Sequence, residues 1–245
     1  MEKPVDLLKI KAYQTFANYR KPMSFNFWDT YPLPPLSTVK GWFHAVLDAN
    51  QYIPLAVSIH GRYDSIVYDL QTLIKFDRKS KAKDGAILLE GYNKALSKSP
   101  TYVANLFNVY LTIYIKAEKS HLEKFKAKLF TKEYPSLGRR EDLIRIDYVD
   151  FAQVQHRSFS IQEDYIVREP LYVSQQTASR LRINGINYSM AFKYNKDLIK
   201  YTGLRYFEKR NVVYIFPRTI INTGTVLFDQ EEDKIVDLIG DIVEE

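Results

Sequence analysis

Between Val109 and Lys116 the side chains alternate without exception: Val109, Leu111, Ile113 and Ile115 are apolar, and Tyr110, Thr112, Tyr114 and Lys116 lie between them. A period of two over eight residues describes a strand with one buried face. Upstream, Val39, Trp42, Phe43, Val46 and Leu47 fall at i, i+3, i+4, i+7 and i+8, the stripe of an amphipathic helix. Ser37 stands where an N-cap is expected. Both periods in one chain predict an α+β fold.

The remaining segments fill in the order. Val5 to Phe16 reads as a strand, with Leu8, Ile10 and Ala12 alternating against Lys9, Lys11 and Tyr13. A loop rich in aromatics and proline follows, from Ala17 to Leu36. Two strands are expected between about Leu55 and Phe76. Lysines, glycines and serines break the pattern from Arg78 to Pro100. A second helix runs from about Ser120 to Phe130, with Leu122, Phe125 and Leu129 on one side, and Ile144, Ile146 and Tyr148 open another strand. The sum is βαββαβ, the ferredoxin-like arrangement of RRM-type folds, with an inserted β-hairpin thumb at about 76–105. The expected division is an RRM-like domain over 1–157 and a small β-rich part over 158–245. That part holds short strands such as Arg182–Gly185 and Val212–Phe216. It should end in an acidic helix from Glu231 whose stripe is Ile235, Leu238, Ile239 and Ile242, packed on its own domain or docked on a neighbouring subunit.

Composition narrows the function classes. Without cysteine the chain has neither disulfides nor thiolate metal sites. It opens Met-Glu-Lys-Pro with no long apolar run, so no leader and no membrane span are expected, and a cytoplasmic location fits. The formal charge of +6 is uneven: from Asp229 onward there are eight acids and one lysine, leaving residues 1–228 at +13. A basic body suits a polyanion, because each neutralised phosphate releases counterions. It also suits an ordinary solvated surface. The 19 Tyr and 14 Phe offer stacking faces for unpaired bases, and are equally good strand filler.

Three places gather basic residues near turns. At Ser37-Thr38-Val39-Lys40-Gly41 the free amides and positive dipole of a helix start can receive a phosphate, with Lys40 in the first turn; simple capping explains the same residues. At Gly138-Arg139-Arg140-Glu141-Asp142 the glycine permits close backbone approach and two arginines can fork onto phosphate; alternatively they pair with Glu141 and Asp142. Lys75, Arg78, Lys79, Lys81 and Lys83 place five cations within nine residues of the insertion, either a clamp for a single strand or a solvated loop. His44, one turn after Lys40, is a further candidate contact or a packed histidine. Arg20 and Tyr13, near the end of the first strand, complete the set.

Enzyme motifs are missing. His44, His60, His121 and His156 are isolated, and no Walker A, G-x-G-x-x-G, G-x-S-x-G or H-E-x-x-H run occurs. No metal or cofactor is expected. A metal-independent ribonuclease needs only a base, an acid and a cation, and Lys119 with His121 supply two of these.

Two runs carry a resemblance. Thr30-Tyr31-Pro32-Leu33-Pro34-Pro35-Leu36-Ser37-Thr38-Val39-Lys40-Gly41 resembles the N-terminal signature of the CRISPR-associated Cas-five family: a proline pair, Ser-Thr-Val, a basic or apolar residue, and glycine opening the first helix. Ser136-Leu137-Gly138-Arg139-Arg140-Glu141-Asp142 resembles its second signature, in the expected order. The wording of both is closest to type I-B members, and the matching features span roughly 5–155. The resemblance implies one copy at the foot of a Cascade complex. There the RRM-like domain and thumb hold the repeat-derived 5′ handle of the CRISPR RNA. The large subunit and a backbone subunit would be neighbours, and target DNA would be met only through the complex. It implies a non-catalytic clamp in most subtypes and a ribonuclease in the I-C branch.

Overall fold

The computed structural model describes residues 5–24, 27–78, 87–89, 91–131 and 136–241, without the side chains of residues 75, 77 and 78. In chain order the elements are β1 (Val5–Ala17), β2 (Phe27–Trp28), α1 (Leu36–Leu47), β3 (Ala56–Arg62), β4 (Ser65–Arg78), β5 (Ile87–Leu89), β6 (Lys94–Lys116), α2 (Lys119–Leu129) and β7 (Arg145–Phe159). There follow β8 (Tyr165–Ile166), β9 (Leu171–Ser174), α3 (Gln175–Arg180), β10 (Ile186–Tyr194), α4 (Lys196–Thr202), β11 (Phe207–Ile215), β12 (Ile220–Ile221), β13 (Gly224–Asp229), β14 (Lys234–Val236) and β15 (Ile239–Gly240). The protein is α+β, with four helices among the described residues and one large, predominantly antiparallel sheet.

Four strands, in the order β3-β6-β1-β7, form the centre of that sheet and pair antiparallel throughout. The alternation in the sequence places Leu8, Ile10, Ala12, Val109, Leu111, Ile113 and Ile115 on one face, all nearly solvent-free. Against them lie Val39, Trp42, Phe43 and Val46 of α1 and Leu122, Phe125 and Leu129 of α2. Phe125 is the hinge of this layer, stacked on Phe43 at 4.8 Å and edge-on to Trp42 at 5.2 Å. Burying each such side chain contributes about 1.5–3 kcal/mol.

α1 begins two residues earlier than its composition suggests. Pro35, extended at φ −60° and ψ 153°, is the N-cap, and no side chain caps the helix. The Pro35 carbonyl accepts from the amides of Thr38 and Val39, so Ser37 lies inside the first turn rather than before it.

Besides β1, β6 has two long partners. From Tyr110 to Lys116 it pairs with β3, and from Phe107 back to Lys94 it pairs with β4, forming a long hairpin. The switch falls at Asn108, at φ +52°, a left-handed conformation that asparagine tolerates. The hairpin arms reach beyond the expected 76–105, to Ser65 and Phe107. A hairpin arm and a sheet strand share one period, so alternation alone does not separate them.

The C-terminal part extends the sheet at both edges. β9, β11 and β10 continue it beyond β3, and β13 with β14 continue it beyond β7. The expected strand at Arg182–Gly185 is a turn, closed by the Ile183 amide on the Ala178 carbonyl. The expected acidic helix from Glu231 is not formed: Lys234–Val236 and Ile239–Gly240 are strands. Ile235, Val236 and Ile239 enter three separate apolar clusters, whereas a helix would turn Val236 away from the other two. A Cβ on Gly240 would stand 2.4 Å from the Leu55 carbonyl oxygen, so glycine permits this strand to approach β3. Ile242 lies outside the described residues.

The tail also seals part of the outer sheet face. Lys9 and Tyr114 point away from the helices and are fully buried there. The Lys9 ammonium meets Asp229 at 3.2 Å, Glu231 at 2.6 Å and Glu232 at 3.2 Å, and the Tyr114 hydroxyl donates to Asp229 at 2.9 Å. Burial pulls the Lys9 pKa down, but the three carboxylates outweigh it and hold it above the ordinary lysine value. Beside this lock His60, buried on β3, has its pKa lowered to about 3 by burial and by the nearby Lys234 charge.

Candidate nucleic-acid interface

Both signature runs meet at the exit of β1. The second is drawn in by Asp142, which is 1% exposed. Its carboxylate accepts from the amides of Asn18 (3.1 Å) and Arg139 (2.8 Å) and holds the Arg139 guanidinium at 2.7 Å. The same guanidinium donates to Asn105 and lies 3.2 Å from Glu141. Gln14, buried on β1, donates to the carbonyls of Leu137 and Asp142, both at 2.9 Å. Gly138 sits at φ +117°, and a Cβ there would stand 2.7 Å from Asp142 Oδ2. Arg139 is therefore the internal partner of Asp142, whereas Arg140 is exposed.

The first signature opens outward. Ser37 and Thr38 are half-buried and line a cleft of about 310 Å³ shared with Arg20, Lys21, Tyr31 and Met190. Arg20 is held over the Trp28 ring at 4.1 Å and donates to the Ser24 carbonyl at 2.7 Å. On the next turn of α1, Lys40, Gly41 and His44 line a second cleft, of about 360 Å³, with Tyr52, Lys193 and Lys196. Burial lowers the Lys40 pKa, and Lys193 adds to that while Asp241 opposes it. Asp241 lies against this cation group, accepting from Tyr52 (2.5 Å), Lys193 (2.8 Å) and Arg210 (3.0 Å). Burial alone would raise the Asp241 pKa; the hydrogen bonds from Lys193 and Tyr52 hold it below the carboxylate norm. Gly41 leaves open space where a Cβ would be. The cleft wall is thus bare at the point closest to Lys40.

His44 is a packed histidine. Its Nε2 accepts from the Ile53 amide at 2.9 Å, which leaves the proton on Nδ1 to donate to the Lys40 carbonyl at 2.8 Å. Its ring stacks on Tyr52, and burial lowers its pKa. Tyr13 lies on the outer sheet face, its ring 5.2 Å from Tyr110 and its hydroxyl donating to Asn108. Lys75 and Arg78 fall on β4, where their side chains are not described, and Lys79, Lys81 and Lys83 lie outside the described residues. Lys193, Lys196, Tyr52, Arg210 and Asp241 were not singled out by sequence reasoning. No motif surrounds them, and only folding brings residues 40, 52, 193, 210 and 241 together.

As chemistry, α1 carries two successive clefts, each lined by cations, an arrangement suited to anionic oxygens. His121, part-exposed at the start of α2, lies 3.8 Å from Glu118. Among the described residues no group of three or more His, Asp or Glu is placed to hold a metal ion, and no helix is long and apolar enough to cross a membrane.

Comparison with known families decides the lineage. Residues 7–212 match the family described as "CRISPR-associated protein (Cas_Cas5)". The chain belongs to this Cas-five family. Among solved structures it is similar to a chain of a "CRISPR RNA-guided surveillance complex", at 14% identity and a TM-score of 0.52, covering 89% of this chain and 93% of that one. A "CRISPR protein from Archaeoglobus fulgidus" is similar at 11% identity and a TM-score of 0.45, covering 98% and 100%. At such identities the first likeness concerns the fold alone. No curated protein sequence matches.

Proposed function

We propose that this Cas-five chain is a non-catalytic RNA-binding subunit of a type I CRISPR interference complex, gripping the 5′ handle of the CRISPR RNA. One observation carries the reading: both family signatures abut the exit of β1. There Arg20, Ser37 and Thr38 line one cleft at the start of α1, and one turn further along the helix Lys40, Lys193 and Lys196 line a second. The order β3-β6-β1-β7, with α1 and α2 on one face, supports a ferredoxin-like, RRM-type core. The β4–β6 hairpin supports a thumb role, and the wording of the signatures supports the type I-B branch. A single-stranded handle would be held by phosphate contacts at the clefts together with stacking of its splayed bases. The large subunit and a backbone subunit of the complex would be its protein neighbours in the cytoplasm.

The test is binding of a repeat-derived 5′ handle to purified protein, alone and co-expressed with its complex. Handle binding that weakens steeply with salt and exceeds that of a scrambled RNA is expected. Protein and complex that carry no RNA and show no such preference would sink the reading. The non-catalytic part has its own test. Repeat RNA incubated with the protein in EDTA should stay intact, and site-specific cleavage lost in His121→Ala would replace the clamp with a metal-independent endoribonuclease.

A further inference from the structure

The C-terminal turn covers only part of the outer sheet face. Lys9 is sealed beneath it, and Lys11, two residues on, is tied to Glu232 at 2.7 Å. The next outward-facing residue of β1 is Tyr13, and there the face is open. In that row Arg62 pairs with Tyr110, Tyr110 with Tyr13, and Tyr13 with Arg145. The row therefore crosses β3, β6, β1 and β7 without a gap. The Arg62 guanidinium lies 4.2 Å from the Tyr110 ring centre and that of Arg145 lies 4.6 Å from the Tyr13 centre. The two rings are 5.2 Å apart. Tyr110 is 37% exposed, and the side chains of Arg62 and Arg145 are 52% and 65% exposed.

The charges in the row are already answered. Asp147 holds Arg145 at 2.6 Å, and Asp64 stands 3.8 Å from Arg62. Tyr13 donates to Asn108, whose amide donates to Asp64, so the row is braced from one side. What it presents to solvent is a strip of guanidinium planes and phenol rings with little unbalanced charge. Such a strip matches flat π-systems better than phosphates. Tyr13 also lies four residues before Ala17, where β1 leaves the sheet toward Arg20 and the start of α1.

We propose that the Arg62–Tyr110–Tyr13–Arg145 row is a base-stacking platform for unpaired nucleotides of single-stranded RNA, separate from the phosphate-facing clefts. This rests on reading the chain as an RNA-binding subunit. A partner protein's aromatic side chains are the competing occupant. The basic body of the chain, +13 over residues 1–228, favours RNA.

The experiment titrates purified full-length protein with a fluorescein-labelled single-stranded RNA of about eight nucleotides and with its abasic counterpart. The paired variant Tyr13→Leu, Tyr110→Leu should bind the RNA roughly ten- to a hundredfold more weakly. Its dependence on salt should be unchanged, since no phosphate contact is lost. Tyr13→Phe with Tyr110→Phe, which keeps both rings, should bind like the wild type. The abasic strand should bind wild type and Leu variant alike. Equal RNA binding by wild type and Leu variant would overturn the platform while leaving the RNA-binding reading intact. If that variant also failed to join the complex, the row would be a protein contact instead. No RNA binding by the wild type would overturn both. Photo-crosslinking of 5-bromouridine RNA to the wild type needs no variant: adducts on the Tyr13 and Tyr110 peptides support the platform, and adducts confined to other peptides refute it.

Discussion

The turn at 136–142 directs its charges inward, and the helix start at 34–41 directs its polar groups outward. Both are short, both contain a glycine and a basic residue, and both abut the end of β1. In the first, Asp142 is buried and nearly every donor around it, Arg139 included, is spent on it. In the second, Lys40 has no carboxylate within bonding distance among the described residues, and Gly41 leaves the surface bare. A basic residue beside a glycine is thus either a buckle or a contact, and the depth of its nearest acid decides which. The two turns complement each other, because a rigid buckle positions the end of the strand beside which the first cleft opens.

The largest effect should come from breaking the buckle. Asp142→Ala leaves Arg139 and the Asn18 amide buried without their partner, and should cost about 3–5 kcal/mol, read from denaturant midpoints. Handle binding should fall with it only as far as the fold is lost. Gly138→Ala comes next, at about 1–3 kcal/mol, since a side chain at φ +117° is strained and meets Asp142. Either variant as stable as the wild type would show that the turn is not a buckle.

The outward turn should behave in the opposite way. Lys40→Met should leave stability unchanged or slightly higher, while weakening handle binding and lowering the salt slope by about 0.7. Its pH dependence has a definite sign. Burial keeps the folded pKa of Lys40 below 10.5, so the folded state holds fewer protons in that window and stability rises as pH increases through it. Lys40→Met should remove that alkaline rise in urea-melt midpoints. Gly41→Ala, with open space for the methyl, should stabilise the helix by about 0.5–1 kcal/mol and reduce RNA affinity. A stabilised variant that binds RNA as before would place the RNA away from this cleft. The smallest effect belongs to Arg140→Gln, within about 0.5 kcal/mol in stability, with a salt-slope change as its signature if Arg140 meets a phosphate.

The central strands β1, β3, β6 and β7 and the helices α1 and α2 were legible because each rests on a local period of two or about 3.6, whereas the short β2 and β5 carry no such signal. Ile235, Leu238 and Ile239 show where that signal misleads. Their spacing is helical, yet each is drawn into a different apolar cluster, and the β-branched Ile235 and Ile239 lie in two short strands with Leu238 in the link between them. Of the candidate residues, Lys40 and Arg20 came from local context and do line clefts, whereas Arg139 takes the alternative pairing with Glu141 and Asp142, and His44 is held by Ile53, which no spacing rule names.

By itself, then, the sequence determined the α+β order, the two signatures and the basic bias of the body, all properties of neighbouring residues or of sums over the chain. The tertiary structure alone decided which charges meet. Lys9 finds Asp229 across 220 residues, and Asp241 joins Tyr52, Lys193 and Arg210. Arg62, Tyr110, Tyr13 and Arg145 become one row only when four strands come into register. Pairing and stacking fall off within a few ångströms, so they depend on which surfaces the fold brings together, and separation along the chain carries no record of that.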